Sequence, residues 1–69
     1  MKTIEFSVGG LVPQDRFIRN DQVLKMIETE YTGRRNLARI EDTFETIELT
    51  DMSERVQLIS TAKLPNGFE

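Results

Sequence analysis

The chain has 69 residues, 38% of them apolar and 30% charged, with no cysteine, no histidine and a formal net charge of −3. This length supports one small domain, whose core has neither a disulfide nor a zinc-thiolate site to help it. The composition carries no footprint of a globally basic nucleic-acid binder, and no apolar run is long enough to span a membrane. The charge is uneven: residues 1–41 hold seven bases against six acids, and residues 42–69 hold two bases against six acids. Met1-Lys2-Thr3-Ile4-Glu5 has one basic residue and no long apolar stretch behind it, so a secretory signal is not expected and cytoplasmic residence is.

In chain order, the first predicted element is a strand over Thr3–Val8, where Ile4, Phe6 and Val8 alternate with Thr3, Glu5 and Ser7. Gly9-Gly10 ends it, and Leu11–Arg19, with Pro13, reads as a loop. Asn20 or Asp21 can cap a helix, whose apolar stripe is Val23, Met26, Ile27 and Tyr31 and whose stop is Gly33. Two strands are predicted over Asn36–Glu41 and Glu45–Thr50, joined by a turn near Asp42-Thr43. Asp51-Met52-Ser53-Glu54 has capping-box spacing, and Met52, Val56 and Ile59 give the stripe of a second short helix. Lys63-Leu64 can begin a last edge strand before Pro65, and Asn66-Gly67 signals a turn. The order β-α-β-β-α-(β) predicts an α+β domain of the ferredoxin-like, split βαβ kind. In it an antiparallel sheet of order 4-1-3-2 carries both helices on one face.

Little catalytic chemistry is on offer. Without Cys or His, a nucleophile would have to be Ser60 or Thr61 beside Lys63, a spacing that fits no established geometry. Glu41 and Asp42 are adjacent at a hairpin and would point to opposite faces of a strand. Gly9-Gly10 is too short a glycine run, and too far from a helix start, to cradle a phosphate. No enzyme activity, cofactor or metal site is expected. Binding remains, and Arg16, Arg19, Arg34, Arg35 and Arg39 are the candidate contacts. Arg16 and Arg19 lie before the first predicted helix and Arg34 and Arg35 after it, so one compact cluster is not implied. Arg34 and Arg35 also suit the negative end of the helix dipole.

The run Ile4-Glu5-Phe6-Ser7-Val8-Gly9-Gly10, then Ile18-Arg19, Asp21, Val23 and Ile27, resembles the start of the C-terminal RNA-binding domain of bacterial DEAD-box RNA helicases. Leu37-Ala38-Arg39-Ile40, Phe44, Ile47-Glu48-Leu49, Met52 and Val56 are similar to its second half. The resemblance implies an RRM-like βαββαβ fold and structured RNA as the ligand. The family's lysine-rich loop is replaced here by Leu11-Val12-Pro13-Gln14-Asp15, and the middle hairpin is about two residues shorter.

In such a fold Ile4, Phe6 and Val8 face the helices. The open sheet face then presents Glu5, Thr46 and Glu48, with Phe44 at the start of its strand and Arg39 on the neighbouring one. Carboxylates of Glu5 and Glu48 would flank the centre of that face, which disfavours base stacking there and moves any RNA to the loop arginines. A protein–protein interaction module is therefore the preferred expectation, of a regulatory or small phage-type inhibitor kind. RNA binding through the loop arginines is the second expectation. A structural domain that dimerises through an open edge strand is the third.

Overall fold

The computed structural model describes residues 2–31 and 33–68, and among them it contains no α-helix. Six strands form one antiparallel sheet: β1 (Ile4–Ser7), β2 (Arg16–Arg19), β3 (Gln22–Glu28), β4 (Leu37–Ile40), β5 (Thr46–Glu48) and β6 (Arg55–Ser60). Their order is β1-β6-β2-β3-β4-β5, a meander from β2 to β5 whose β2 edge is extended by the last strand, which lies between β1 and β2. The expected α+β, ferredoxin-like or RRM-like fold is therefore overturned, as is the sheet order 4-1-3-2. Each of the two expected helices is a strand, and Lys63-Leu64 lies in a turn rather than a last strand.

The reason lies in turns that imitate caps. Asn20 and Asp21 both take left-handed conformations, φ 51° and 62°, between Arg19 and Gln22, which pair across the β2–β3 ladder. Positive φ at both central residues of a two-residue loop is the type I′ hairpin, whose twist matches that of the strands it joins. An Asn-Asp pair suits that turn as well as it suits a helix cap. Likewise, the Asp51 carboxylate accepts from the Ser53 N–H at 3.0 Å and the Ser53 hydroxyl at 2.7 Å, closing a tight turn. Glu54 reaches back to Arg19 rather than to the chain before it.

The registers place Ile4, Leu58, Phe17, Leu24 and Ile40 side by side across five consecutive strands. Met26, Ala38 and Ile47 form a second, parallel row. Phe17, Met26 and Ala38 are fully buried, and Val8, Leu11 and Leu49 join the same cluster from outside the strands. Phe6, Ile47, Met52 and Phe68 pack around it.

With no α-helix among the described residues to cover this face, the segment that follows β5 closes it. The Leu49 N–H donates to the Asn36 carbonyl at 2.8 Å, so this segment stays paired with the approach to β4. Further on, the Met52 carbonyl accepts from the Gly9 N–H and the Glu54 carbonyl from the Val8 N–H, each at 2.9 Å. Residues 49–54 thus strap the β5 side of the sheet to the 3-10 turn Val8–Gly10 that follows β1. A β-carbon at Gly9 would stand 3.1 Å from the Met52 carbonyl oxygen, so this close approach uses a residue without a side chain. Asn36 is buried and ties in the same strap, with its side-chain amide on the Met52 sulfur at 3.3 Å.

Asp15 is the buried acid of the fold, 3% exposed. Its Oδ2 accepts from the Val12 N–H at 3.0 Å, and among the described residues its Oδ1 has no hydrogen-bond partner. Burial raises the Asp15 carboxyl above its ordinary value, opposed by the Val12 bond.

Two outcomes are expected. Phe17→Ala removes the centre of the five-strand apolar row and should lower stability by about 3–5 kcal/mol, a large share of what a small domain has, read from a urea unfolding curve. For Asp15, the folded chain holds the proton more tightly than the unfolded chain. Its contribution therefore favours folding below the ordinary aspartate value and is lost as pH rises through the raised one. Asp15→Asn should abolish that slope in denaturation midpoints measured across the acid range.

Candidate functional site

The face turned away from the core is where the arrangement departs from an ordinary solvated sheet. Across β2, β3, β4 and β5 the register sets Arg16 opposite Lys25, Lys25 opposite Arg39 and Arg39 opposite Thr46. Three cations thus stand on adjacent strands, spaced by about 4.8 Å per strand. Like charges directly opposite one another in a sheet are destabilising.

One carboxylate answers them. Glu41 follows β4 and is held there by its N–H, which donates to the Val23 carbonyl at 2.9 Å. Arg16 grips it with two parallel bonds, Nε to Oε2 at 2.7 Å and NH2 to Oε1 at 2.9 Å. Those bonds hold the Glu41 carboxyl below its ordinary value against partial burial, with help from the charges of Arg16 and Lys25. The same bonds raise the Arg16 guanidinium, again against partial burial. Both side chains are over a third exposed, at 38% and 34%, so solvent limits this pair to about 1 kcal/mol of stability. The four ion pairs among the described residues are Arg16–Glu41, Arg19–Glu54, Arg35–Glu48 and Arg55–Glu5; Lys25 and Arg39 belong to none of them.

Two backbone irregularities frame these cations. The β3–β4 register shifts between Met26 and Glu28, so Ile27 is an extra, bulged residue, and its side chain is 39% exposed. In the β4–β5 hairpin, Phe44 adopts φ 60° and is 76% exposed. Its N–H donates to the Ile40 carbonyl at 2.8 Å, which fixes it in the left-handed position where hairpins ordinarily carry Gly or Asn. Lys25, Ile27, Arg39, Glu41 and Phe44 line one open depression of about 330 Å³. Ile18 and Val23, opposite one another on β2 and β3, are half-buried beside it.

Comparison of the chain with protein-family models, with curated proteins and with solved structures finds no match. The reading of this face therefore rests on its own geometry.

The arginines expected as contacts are dispersed. Arg16 and Arg19 are not in a loop but three residues apart on β2, and each is clamped by a carboxylate, Arg19 by Glu54 at 2.6 Å. Arg34 and Arg35 are exposed in the β3–β4 connection, not at a helix end, and Arg35 stands 4.0 Å from Glu48. Arg39 is exposed on β4, and with Phe44 it lines the depression. Thr46 and Glu48 lie on the same face of β5, as expected. Glu5 does not flank them: β1 and β5 are at opposite ends of the strand order, and Glu5 pairs with Arg55 at 3.2 Å. The expected acidic centre of the open face is thus corrected to a cationic one, Lys25 beside Arg39. Lys25, Ile27 and Glu41 are not among the expected contacts: Ile27 is expected on a helix stripe and Glu41 in a solvated hairpin. A strand reading of Val23-Leu24-Lys25-Met26-Ile27, which alternates faces, would have put Lys25 and Ile27 on one side.

No group of three or more His, Cys, Asp or Glu among the described residues is arranged to hold a metal ion. The depression offers cations for an anion and apolar surface for an apolar group. Because Phe44 contributes little to the core and sits in a disfavoured conformation, Phe44→Gly should leave stability unchanged or raise it by up to about 1 kcal/mol. Thermal unfolding of the two chains checks this.

Proposed function

We propose that this chain is a protein-binding module that docks a partner on the outer face of β3 and β4. One observation carries the reading: Phe44, large and apolar, is held exposed in a left-handed backbone conformation beside the bulged Ile27. A backbone that keeps an aromatic side chain in solvent at conformational cost is using it for contact, and bulges recur where a sheet must re-aim a side chain. Exposed aromatics ringed by polar groups are the usual anchors of protein interfaces.

Charge separates this reading from RNA binding. The net charge of −3 gives no long-range attraction for a polyanion. On the face itself, Glu41 stands beyond Arg39 in one direction along the sheet. Glu48, opposite Leu37, stands in the other. A phosphate backbone running along the strands would meet a carboxylate about two residues, or roughly 7 Å, to either side of the cations. A regulatory or inhibitory role is the form of activity that a module of this size and chemistry serves.

A photo-crosslinking amino acid placed at position 44 tests the reading in lysate, with position 57 on β6 as control and with and without nuclease. Protein adducts that form at position 44, are absent at position 57 and survive nuclease are the expected result. Adducts that vanish with nuclease would favour RNA.

A further inference from the structure

The cation row says more than that a partner docks. Lys25 and Arg39 are direct cross-strand neighbours, Arg16 stands opposite Lys25, and Arg16 already occupies both oxygens of Glu41. Arg39 is exposed and has no carboxylate within ion-pair distance among the described residues. Replacing either Lys25 or Arg39 by a neutral strand former would relieve the repulsion. Three cations sharing one carboxylate at the centre of a sheet, beside two exposed apolar side chains presented by irregular backbone, are local conflict of the kind that binding resolves.

We propose that the depression recognises a carboxylate of the partner, set between Lys25 and Arg39, with an adjoining apolar side chain of the same segment on Ile27 and Phe44. The proposal rests on the docking reading above and names the chemistry of the segment: an Asp or Glu within two residues of a Leu, Ile, Val or Phe. In an extended segment, alternate side chains share a face about 7 Å apart, so one acidic and one apolar residue can reach the depression together. A guanidinium offers a paired, planar donor set to a carboxylate, and the Lys25 ammonium adds a point charge beside it. Glu41 also lines the depression, and with both its oxygens held by Arg16 its charge is neutralised, which leaves Lys25 and Arg39 free to take a carboxylate from outside.

A random peptide library displayed on phage and selected on the intact chain tests this. Enriched sequences are then made as synthetic peptides. They are titrated against the wild type, the double variant Lys25→Thr/Arg39→Thr and the double variant Arg34→Ala/Arg35→Ala, beside a labelled single-stranded RNA of random sequence. The expected result is enrichment of an acid next to an apolar residue. Binding should weaken roughly tenfold or more when the acid is amidated or when Lys25 and Arg39 are replaced, and should weaken with salt. It should be unchanged in the Arg34/Arg35 variant. The Lys25/Arg39 variant should unfold cooperatively at a temperature a few degrees higher than the wild type, which separates lost recognition from lost folding. Enriched peptides without an acid, or ones indifferent to Lys25 and Arg39, would overturn the carboxylate while leaving the docking reading in place. Failure of any peptide to enrich would overturn both, as would RNA binding that depends on Lys25 and Arg39.

Discussion

Everything in this fold depends on a sheet having to cover its own apolar face. A helix laid on a sheet hides that face from water; here no α-helix is present among the described residues, and the sheet's inner rows would stand open without another cover. The cover is made of loop and turn: Val8 and Leu11 after β1, Leu49 and Met52 after β5, and Phe68 near the end of the chain. The strap from Leu49 to Glu54, hydrogen-bonded to Asn36 on one side and to Val8 and Gly9 on the other, is what draws those pieces together. Burying a small core from both sides in this way leaves few residues for anything else, which is why the outer face can be read residue by residue.

That outer face shows how local conflicts accumulate at one place. The bulge at Ile27, the left-handed Phe44 and the opposed Lys25 and Arg39 each cost stability in isolation, and each is the kind of feature that an unconstrained surface sheds. These three occur together in one depression, while the left-handed Asn20 and Asp21 and the β2–β6 register shift lie elsewhere. By contrast, Arg19–Glu54 and Arg55–Glu5 lie elsewhere and have their charges matched. The matched pairs are features of a solvated surface, whereas the unmatched Lys25 and Arg39 are the charges the proposed partner would neutralise.

The parts legible in the sequence were those where strand alternation ran undisturbed. Ile4 and Phe6 against Glu5 and Ser7, and the β4–β5 hairpin with its turn at Asp42-Thr43, could be read directly, and so could the outward placement of Arg39, Thr46 and Glu48. The helices were misread because apolar residues on the wrong side of a strand can reproduce a helical stripe. Val23, Met26 and Ile27 have helical spacing, yet Met26 points inward from β3 while Val23 and Ile27 belong to its outer face. On β6 the stripe of Val56 and Ile59 arises because the β2–β6 register shifts at Arg16/Phe17, which buries Ile59 together with its neighbours Leu58 and Ser60. Asn20-Asp21 and Asp51-x-x-Glu54 then supplied cap-like punctuation to both false helices. The outward apolar residues that hid the strand are those beside the candidate site, so the same feature blurred the fold and marks the face. Lys25 was obscured for the same reason: on a helix it reads as one more solvated lysine.

The position of β6 has a consequence for how the chain comes to be folded. The meander β2-β3-β4-β5 joins near neighbours in sequence and can form locally, but β1 pairs with no strand except β6. Thr3 meets Gln57 across a separation of 54 residues. During synthesis β1 emerges first and then waits, and β2 has one side unpaired, until Arg55–Ser60 has left the ribosome. Contacts of such long range carry a large loop-closure entropy and slow folding. In that interval β1 is unpaired, the inner edge of β2 is open, and only Phe17, Leu24 and Ile40 of the five-strand apolar row are assembled, which leaves these strands exposed to neighbouring chains. Insertion of one six-residue strand then joins β1 to the meander, leaving only the outer edges of β1 and β5 unpaired among the described strands.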